Sequence, residues 1–183
     1  EGKSEDGKLR PHHQQFLRYW WRQSYDRPEM ISVIKSLPRY IACSGVTKRP
    51  IFNFISSAIR PDHSLFVFAF PDDYSFGILQ SSIHWLWFIT KCSKQTVRPR
   101  YTPPSVFNTL PWPQAPTNAQ VIDVAEAGRE IRRFRKEKLC RIKGGLRTLY
   151  RTLESPGENP LKDVHADLDK AVLVAYGFSS KKD

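Results

Sequence analysis

The residues best suited to contact a partner are cationic, and they lie in a stretch of the chain without acidic residues. Between Tyr74 and Ile122 the sequence contains neither aspartate nor glutamate. Within this stretch four basic residues fall inside ten positions, namely Lys91, Lys94, Arg98 and Arg100. A basic, acid-free surface with interspersed aromatic side chains is what binding to a polyanion requires. With a net charge of +11, this pattern favours a nucleic acid over a solvated basic loop, and an anionic membrane surface is a third alternative.

Signals for catalysis are weak throughout the sequence. Glycine-rich phosphate-binding loops of the dinucleotide and P-loop kinds do not occur. Asp72 and Asp73 lack the following Glu-x-Lys that a metal-dependent nuclease needs, and we interpret them as part of a turn. His84 and His165 lie on apolar helical faces, where a lone histidine usually packs rather than catalyses. The sequence therefore gives no support for an enzymatic role of this chain by itself, or for a cofactor bound to it.

Composition narrows the class of protein further. The three cysteines are scattered and form no pair at metal-ligand spacing, so we expect no metal site and a reducing, cytoplasmic environment. No run of 18 apolar residues occurs, which excludes a membrane-spanning helix. With 40% hydrophobic residues, the chain has enough apolar surface for one folded core with an appendage.

The pattern of apolar residues predicts an α+β fold up to about residue 116. Residues 1–15 are predicted as a flexible lead-in, and a helix is predicted to begin at Pro28. Residues 39–44 and 51–55 are predicted as strands of a hairpin with a basic tip. Residues 64–70 and 74–79 are predicted as a second strand pair, the first of them central in its sheet. A helix capped by Ser81 or Ser82 and an irregular, proline-rich loop over 90–116 complete the predicted domain 16–116.

A change of composition near Pro116 predicts a helical tail over residues 117–183. Thr117 and Gln120 have the spacing of a capping box, which predicts a long helix ending before Gly144. A short helical piece is predicted over 146–153. Asn159 and Pro160 predict the start of a last helix that ends at Gly177. The fold predicted for the whole chain is a mixed β-sheet with flanking helices, followed by a small helical region.

Four short motifs, in a fixed order, resemble the target-recognition domain and C-terminal helical region of the MmeI-like family. They are Leu37-Pro38-Arg39-Tyr40-Ile41-Ala42 with Lys48-Arg49, the run from Asp72 to Ser81 with His84-x-x-Trp87, the run from Arg100 to Pro113, and the tail motifs Leu146-x-x-Leu149-Tyr150 and His165-x-x-Leu168-Asp169 through Phe178. The resemblance covers residues 16–178. It implies a DNA-recognition module of a bacterial restriction-modification enzyme that methylates adenine at N6. The S-adenosylmethionine and Asn-Pro-Pro-Tyr-type motifs of the family do not occur here.

The resemblance also implies roles for the basic residues. An adenine methylase flips its target base, so a separate module must read the surrounding sequence in the major groove of the duplex. Arginine and lysine suit guanine, and glutamine suits adenine. The candidates for base readout are therefore Lys91, Lys94, Gln95, Arg98 and Arg100, and the candidates for phosphate contact are Lys48 and Arg49. The implied partners are double-stranded DNA and an N-terminal methyltransferase domain of the same polypeptide, which would hold the S-adenosylmethionine.

Two alternatives from other classes stay open at this point. The exposed aromatic residues can belong to a protein-interaction module that docks a partner subunit. They can also stack on RNA bases, with Trp20, Trp21, Trp85 and Trp87 as the candidates. Phosphate binding weakens steeply with salt and aromatic docking does not, so salt dependence separates the first alternative from DNA binding.

Overall fold

The computed structural model describes residues 14, 17–20, 27–95 and 98–178. Apart from Gln14, the predicted lead-in 1–15 lies outside the described residues, as do Phe16 and Trp21. The strands are β1 (Arg39–Ser44), β2 (Asn53–Ser56), β3 (Leu65–Phe68), β4 (Ser93–Gln95) and β5 (Arg98–Arg100). The helices are α1 (Pro28–Lys35), α2 (Asp73–Gln80), α3 (Ser82–Lys91), α4 (Asn118–Leu139), α5 (Leu146–Arg151) and α6 (Pro160–Ala175), with a 3₁₀ turn over Thr152–Glu154. The predicted α+β class is confirmed. None of the described helices combines the length and apolarity needed to cross a membrane.

The first three strands form one antiparallel sheet in the order β2-β1-β3. The predicted hairpin partners do pair, with Arg39 opposite Ser56 and Ala42 opposite Asn53. The prediction that 64–70 is a central strand is wrong, because β1 takes the centre and β3 lies at an edge. Apolar residues on both faces of β3 are nevertheless explained, since Phe68 packs against Tyr101 on one side and Val67 packs near Tyr40 on the other.

Residues 74–79, predicted as a strand, belong to helix α2. Asp72 caps this helix, because its carboxylate accepts a hydrogen bond from the Ser75 amide at 2.7 Å. Phe76, Ile78 and Leu79 are all buried, so the segment looks uniformly apolar and its period cannot distinguish a helix from a strand. The Asp72-Asp73 pair therefore starts a helix rather than closing a hairpin turn.

The other predicted helix starts are confirmed, and three of them have side-chain caps, whereas α1 at Pro28 and α5 at Leu146 have none. The Ser81 hydroxyl accepts from the His84 amide at the start of α3. Thr117 and Gln120 form the predicted reciprocal capping box at the start of α4. Asn159 caps α6, with Pro160 as the first helical residue. In each case a side-chain oxygen satisfies an amide that has no partner within the helix.

Sheet and tail share one apolar core. Helix α4 packs along α2 and α6, and its Val124 and Ile131 are buried together with Phe76 of α2 and Phe52, which precedes β2. Polar links also cross this boundary. Buried Arg135 of α4 donates to the Phe52 carbonyl at 2.7 Å and to the Tyr150 hydroxyl. The tail is therefore part of the framework that supports the sheet.

Candidate nucleic-acid interface

The basic stretch predicted as an irregular loop is a two-stranded ribbon in its first part. Strands β4 and β5 pair in antiparallel fashion, with Ser93 opposite Arg100 and Gln95 opposite Arg98. Thr96 and Val97, which connect them, lie outside the described residues. The prediction of an irregular segment is thus wrong for residues 93–95 and 98–100, and also for residues 90–91, which belong to helix α3. The remaining part, from Tyr101 to Pro116, contains no strand or helix, as predicted.

The base of the ribbon is held to the first sheet by backbone hydrogen bonds. The Thr47 amide donates to the Pro99 carbonyl at 3.2 Å, and the Tyr101 amide donates to the Gly45 carbonyl at 2.8 Å. Val46 forms an isolated bridge with Arg100. These bonds connect the ribbon to the segment that leaves β1, so the orientation of the ribbon is set by the sheet.

Tyr101, directly after β5, fixes the ribbon to helix α3. Its ring is fully buried and stacks on Phe88 with the ring centroids 5.6 Å apart. His84 links the same helix to this tyrosine: Nε2 lies 3.0 Å from the Tyr101 hydroxyl, and Nδ1 lies 2.6 Å from the Leu79 carbonyl. Because Leu79 offers only an acceptor, Nδ1 carries the proton and Nε2 accepts from the tyrosine. Burial lowers the pKa of His84 to about 4, so the ring is neutral near pH 7.

Helix α3 is in turn held by the tail. Asp169 of α6 accepts from the Ser82 amide at 2.7 Å and from the Ser82 hydroxyl at 2.5 Å. A carboxylate at a helix N-terminus satisfies a free amide and interacts favourably with the helix dipole. The chain of contacts therefore runs from the tail through α3 and Tyr101 to the ribbon.

The predicted readout residues all belong to the ribbon or its flank. Lys91 is exposed at the end of α3, with its ammonium nitrogen 5.1 Å from the centre of the Trp87 ring. Arg100 is exposed at the end of β5. For Lys94, Gln95 and Arg98 the structure describes the backbone, and their side chains lie outside the description. By register, the positions of Gln95, Arg98 and Arg100 share one face of the ribbon, and that of Lys94 belongs to the other.

The two predicted phosphate contacts differ in their surroundings. Lys48 is exposed, whereas Arg49 is half-buried with its guanidinium 4.8 Å above the Trp85 ring. Burial lowers the pKa of Arg49, and the nearby Tyr150 and Asp169 oppose that shift. Lys48 is thus open to a ligand, while Arg49 also has a packing role.

Among the described residues, no group of three or more histidine, cysteine or carboxylate side chains is arranged to hold a metal ion. The three cysteines are free, and burial raises the pKa of the Cys43 thiol to about 12. His165 resembles His84 in that its Nε2 contacts the Tyr150 hydroxyl at 2.9 Å and burial lowers its pKa to about 3.

One cationic cluster was missed by sequence reasoning. The Asp73 carboxylate accepts from Arg39 at 3.1 Å, from Arg129 at 3.3 Å and from Arg132. Arg39 and Arg132 also lie over the ring of Phe54, at 3.7 and 4.8 Å from its centre. These residues come from β1, β2, α2 and α4, so proximity in the sequence gave no sign of the cluster. The density of arginine after position 129 was the available signal.

Comparison with known proteins agrees with this architecture. Residues 49–114, about a third of the chain, match the model of the MmeI target recognition domain. A solved structure, that of the Type IIL restriction-modification enzyme MmeI in complex with DNA, has the same fold with a TM-score of 0.74 and 23% sequence identity. That likeness covers 96% of this chain and 22% of MmeI, so the chain spans about a fifth of the length of its structural relative. No curated protein sequence matches the chain significantly.

The fold and the family match point to the same class of domain. Residues 49–114, which contain β2, β3 and the β4–β5 ribbon, match an MmeI-type target recognition domain, the resemblance that the order of the sequence motifs predicted.

Proposed function

We propose that this chain recognises a specific sequence in double-stranded DNA and that the β4–β5 ribbon enters the major groove. The observation that carries the proposal is the ribbon itself, a basic two-stranded element attached to the first sheet by backbone hydrogen bonds. The major groove of B-form DNA is wide enough for a two-stranded β-ribbon or a helix, and every base pair presents a distinct pattern there. The match to a target recognition domain supports the same assignment.

In this proposal the side chains divide into two roles. Lys91, Lys94, Gln95, Arg98 and Arg100 are the candidates for contact with base edges, because arginine and lysine recognise guanine and glutamine recognises adenine. Lys48 is exposed and directly follows the segment that pairs with the ribbon. In this proposal it contacts a phosphate and positions the duplex without specifying its sequence. Arg49 contributes to the same surface while it packs on Trp85.

The context that best fits such a module is an N6-adenine methyltransferase of a restriction-modification system, acting in the cytoplasm. An enzyme of this kind extrudes its target base, and its catalytic pocket cannot read the neighbouring base pairs. S-adenosylmethionine and the catalytic residues would then belong to a methyltransferase domain elsewhere in a longer polypeptide. The chain spans only 22% of MmeI, which leaves room for such a domain.

Selection from a pool of duplexes with randomised cores tests the proposal. The chain is expected to enrich one sequence motif, to lose affinity steeply as salt rises, and to prefer duplex DNA over single-stranded RNA in competition. A preference for the single-stranded RNA in that competition would favour RNA binding by base stacking. Binding without any enriched motif would show that the ribbon attracts phosphates without discrimination, and the proposed function would be wrong.

A further inference from the structure

The largest net positive charge in one segment of the chain lies in the tail and not at the ribbon. Residues 129–151 include ten arginine and lysine residues against two glutamates, a net charge of +8 in a chain whose total is +11. Seven of the ten are arginines. The candidate interface described above uses none of them, so this concentration of charge needs a separate explanation.

Part of this charge lines an open groove between the C-terminal half of α4 and strand β2. The groove has a volume of about 520 Å³, and its wall includes Asn53, Arg129, Arg132, Arg133 and Lys136. Arg129, Arg133 and Lys136 are exposed. They follow one another at intervals of one helical turn and span about 10 Å of the helix axis. We refer to these five residues as the α4 groove.

The α4 groove keeps an excess of positive charge after its internal ion pairs are counted. Arg39, Arg129 and Arg132 share the single carboxylate of Asp73, and Arg133 pairs with Glu130 at 2.8 Å. Lys136 has no ion pair among the described residues. Glu137 also acts electrostatically on Arg133, so the four cations of the groove together with Arg39 face three carboxylates. Because Asp73 holds two of the arginines in place, part of the surface is ordered before any ligand arrives.

The arrangement fits a row of phosphates better than a single anion. Arginine forms paired hydrogen bonds with phosphate, and its charge persists at every physiological pH. A groove that is open along its length, with cations at successive helical turns, suits a polymer that presents anions at regular intervals. A duplex does so, with one negative charge per about 1.7 Å of its axis.

The α4 groove also lies within reach of the duplex that the ribbon would contact. Asn53 follows Lys48 by five residues, so their Cα atoms are separated by at most roughly 18 Å. We propose that the α4 groove binds the sugar–phosphate backbone of the same duplex, and that it adds affinity without adding sequence preference. This inference rests on the proposed function only for the identity of the duplex.

The test compares two double variants of the full chain that remove the same charge. Arg133→Gln with Lys136→Gln alters the α4 groove but leaves the Asp73 cluster intact. Arg60→Gln with Lys170→Gln removes two exposed cations, one on the β2–β3 connection and one on α6. Affinity for the motif-bearing duplex and for a scrambled duplex is measured over a range of salt. The dependence of log K on log salt has a slope of about −0.9 for each phosphate contact.

We expect the groove variant to reduce the slope by about two units on both duplexes and to keep the preference for the motif, while the matched control keeps the wild-type slope. Equal slopes for wild type, groove variant and control would overturn the inference, and a retained motif preference would show that the proposed function stands. Binding to polyglutamate is measured as well, as a second anionic probe. If the groove variant lost binding to polyglutamate but kept the wild-type salt slope on DNA, the groove would be a carboxylate-binding protein surface and the inference would also be overturned. The wild-type chain could also show no motif preference while the groove variant still reduces the salt slope. That result would refute the proposed base readout and leave the inference about the groove standing.

Discussion

At the scale of single residues, neutral buried groups position the charged ones. Tyr101 and His84 form a hydrogen-bonded pair beneath the ribbon, with the histidine proton directed to the Leu79 carbonyl. His84 and His165 were predicted from the sequence to be packing residues, and both are buried with Nε2 hydrogen-bonded to a tyrosine hydroxyl, although Nδ1 of His165 has no partner among the described residues. The charge cluster at Lys91–Arg100 was also visible in the sequence. The Asp73 cluster was not, because its members are brought together only by the packing of α4 on α2.

The histidines predict a fall in stability at mildly acidic pH. The folded state keeps His84 neutral down to a pKa of about 4, whereas the unfolded chain takes up a proton near 6.5. The free energy of unfolding therefore has its full value above pH 6.5. It falls progressively as pH decreases towards 4, by roughly 3 kcal/mol for a pKa shift of this size. His165, with a pKa of about 3, extends the loss to lower pH.

Urea unfolding at a series of pH values checks this prediction. His84→Gln is expected to be less stable than wild type at pH 7 and to show a shallower decline between pH 6.5 and 4. His63→Gln serves as the control, because His63 is exposed and outside the core. A decline in His84→Gln as steep as that of wild type would refute the assignment.

At the scale of elements, the close contact between α2 and α4 connects the tail to the sheet. It depends on two glycines that face each other across the helices. A Cβ atom at Gly77 would lie 2.7 Å from Cγ1 of Val124 and 2.9 Å from its carbonyl oxygen, and a Cβ atom at Gly128 would lie 2.9 Å from the Asp73 carbonyl oxygen. The same contact brings Arg129 and Arg132 to Asp73.

Gly77→Ala is therefore expected to destabilise the protein although alanine is the better helix former. The gain in helix propensity is about 1 kcal/mol, whereas overpacking in a tight core costs about 1–3 kcal/mol and here involves backbone that cannot move aside. Gly145→Ala is the matched control, since a Cβ atom there meets nothing within 4 Å. Free energies of unfolding measure both. Wild-type stability or better in Gly77→Ala would show that the helices separate easily.

Elements with an explicit start signal were predictable, and elements with a uniform apolar interior were not. The caps at Ser81, Thr117 and Asn159 each marked the helix that the structure has. Asp72 is also a cap, but the apolar run after it fitted a buried strand equally well, and only packing against Val124 and Leu168 distinguishes the two. The β4–β5 ribbon escaped prediction because its strands are three residues long and β5 contains a proline.

At the scale of the whole molecule, a single core crosses the composition change near Pro116. Buried residues of the tail, among them Val124, Ile131, Leu168 and Val172, pack with residues of the sheet and of α2. Asp169 also caps the helix that leads to the ribbon. The placement of the ribbon thus depends on residues that are distant from it in the sequence.

Truncation after Pro116 is expected to abolish cooperative folding. The fragment 1–116 lacks every core residue that α4 and α6 supply, and a fully buried valine or leucine contributes about 1.5–3 kcal/mol. Thermal melts followed by near-ultraviolet circular dichroism measure the effect. A fragment that melts cooperatively near the wild-type temperature would show that the tail is an independent appendage.

The most direct test of base readout by the ribbon is the base preference of Arg100→Ala. Affinity is measured for the enriched duplex and for each of its single-base-pair variants, in wild type, Arg100→Ala and Lys48→Ala. A paired arginine–guanine contact contributes about 1–3 kcal/mol of discrimination, so Arg100→Ala is expected to lose its preference at one position and to keep it elsewhere. Lys48→Ala is expected to weaken binding to all duplexes alike and to reduce the salt slope by about one unit. If Arg100→Ala weakened every duplex equally and left the base preference intact, readout by this residue of the ribbon would be refuted.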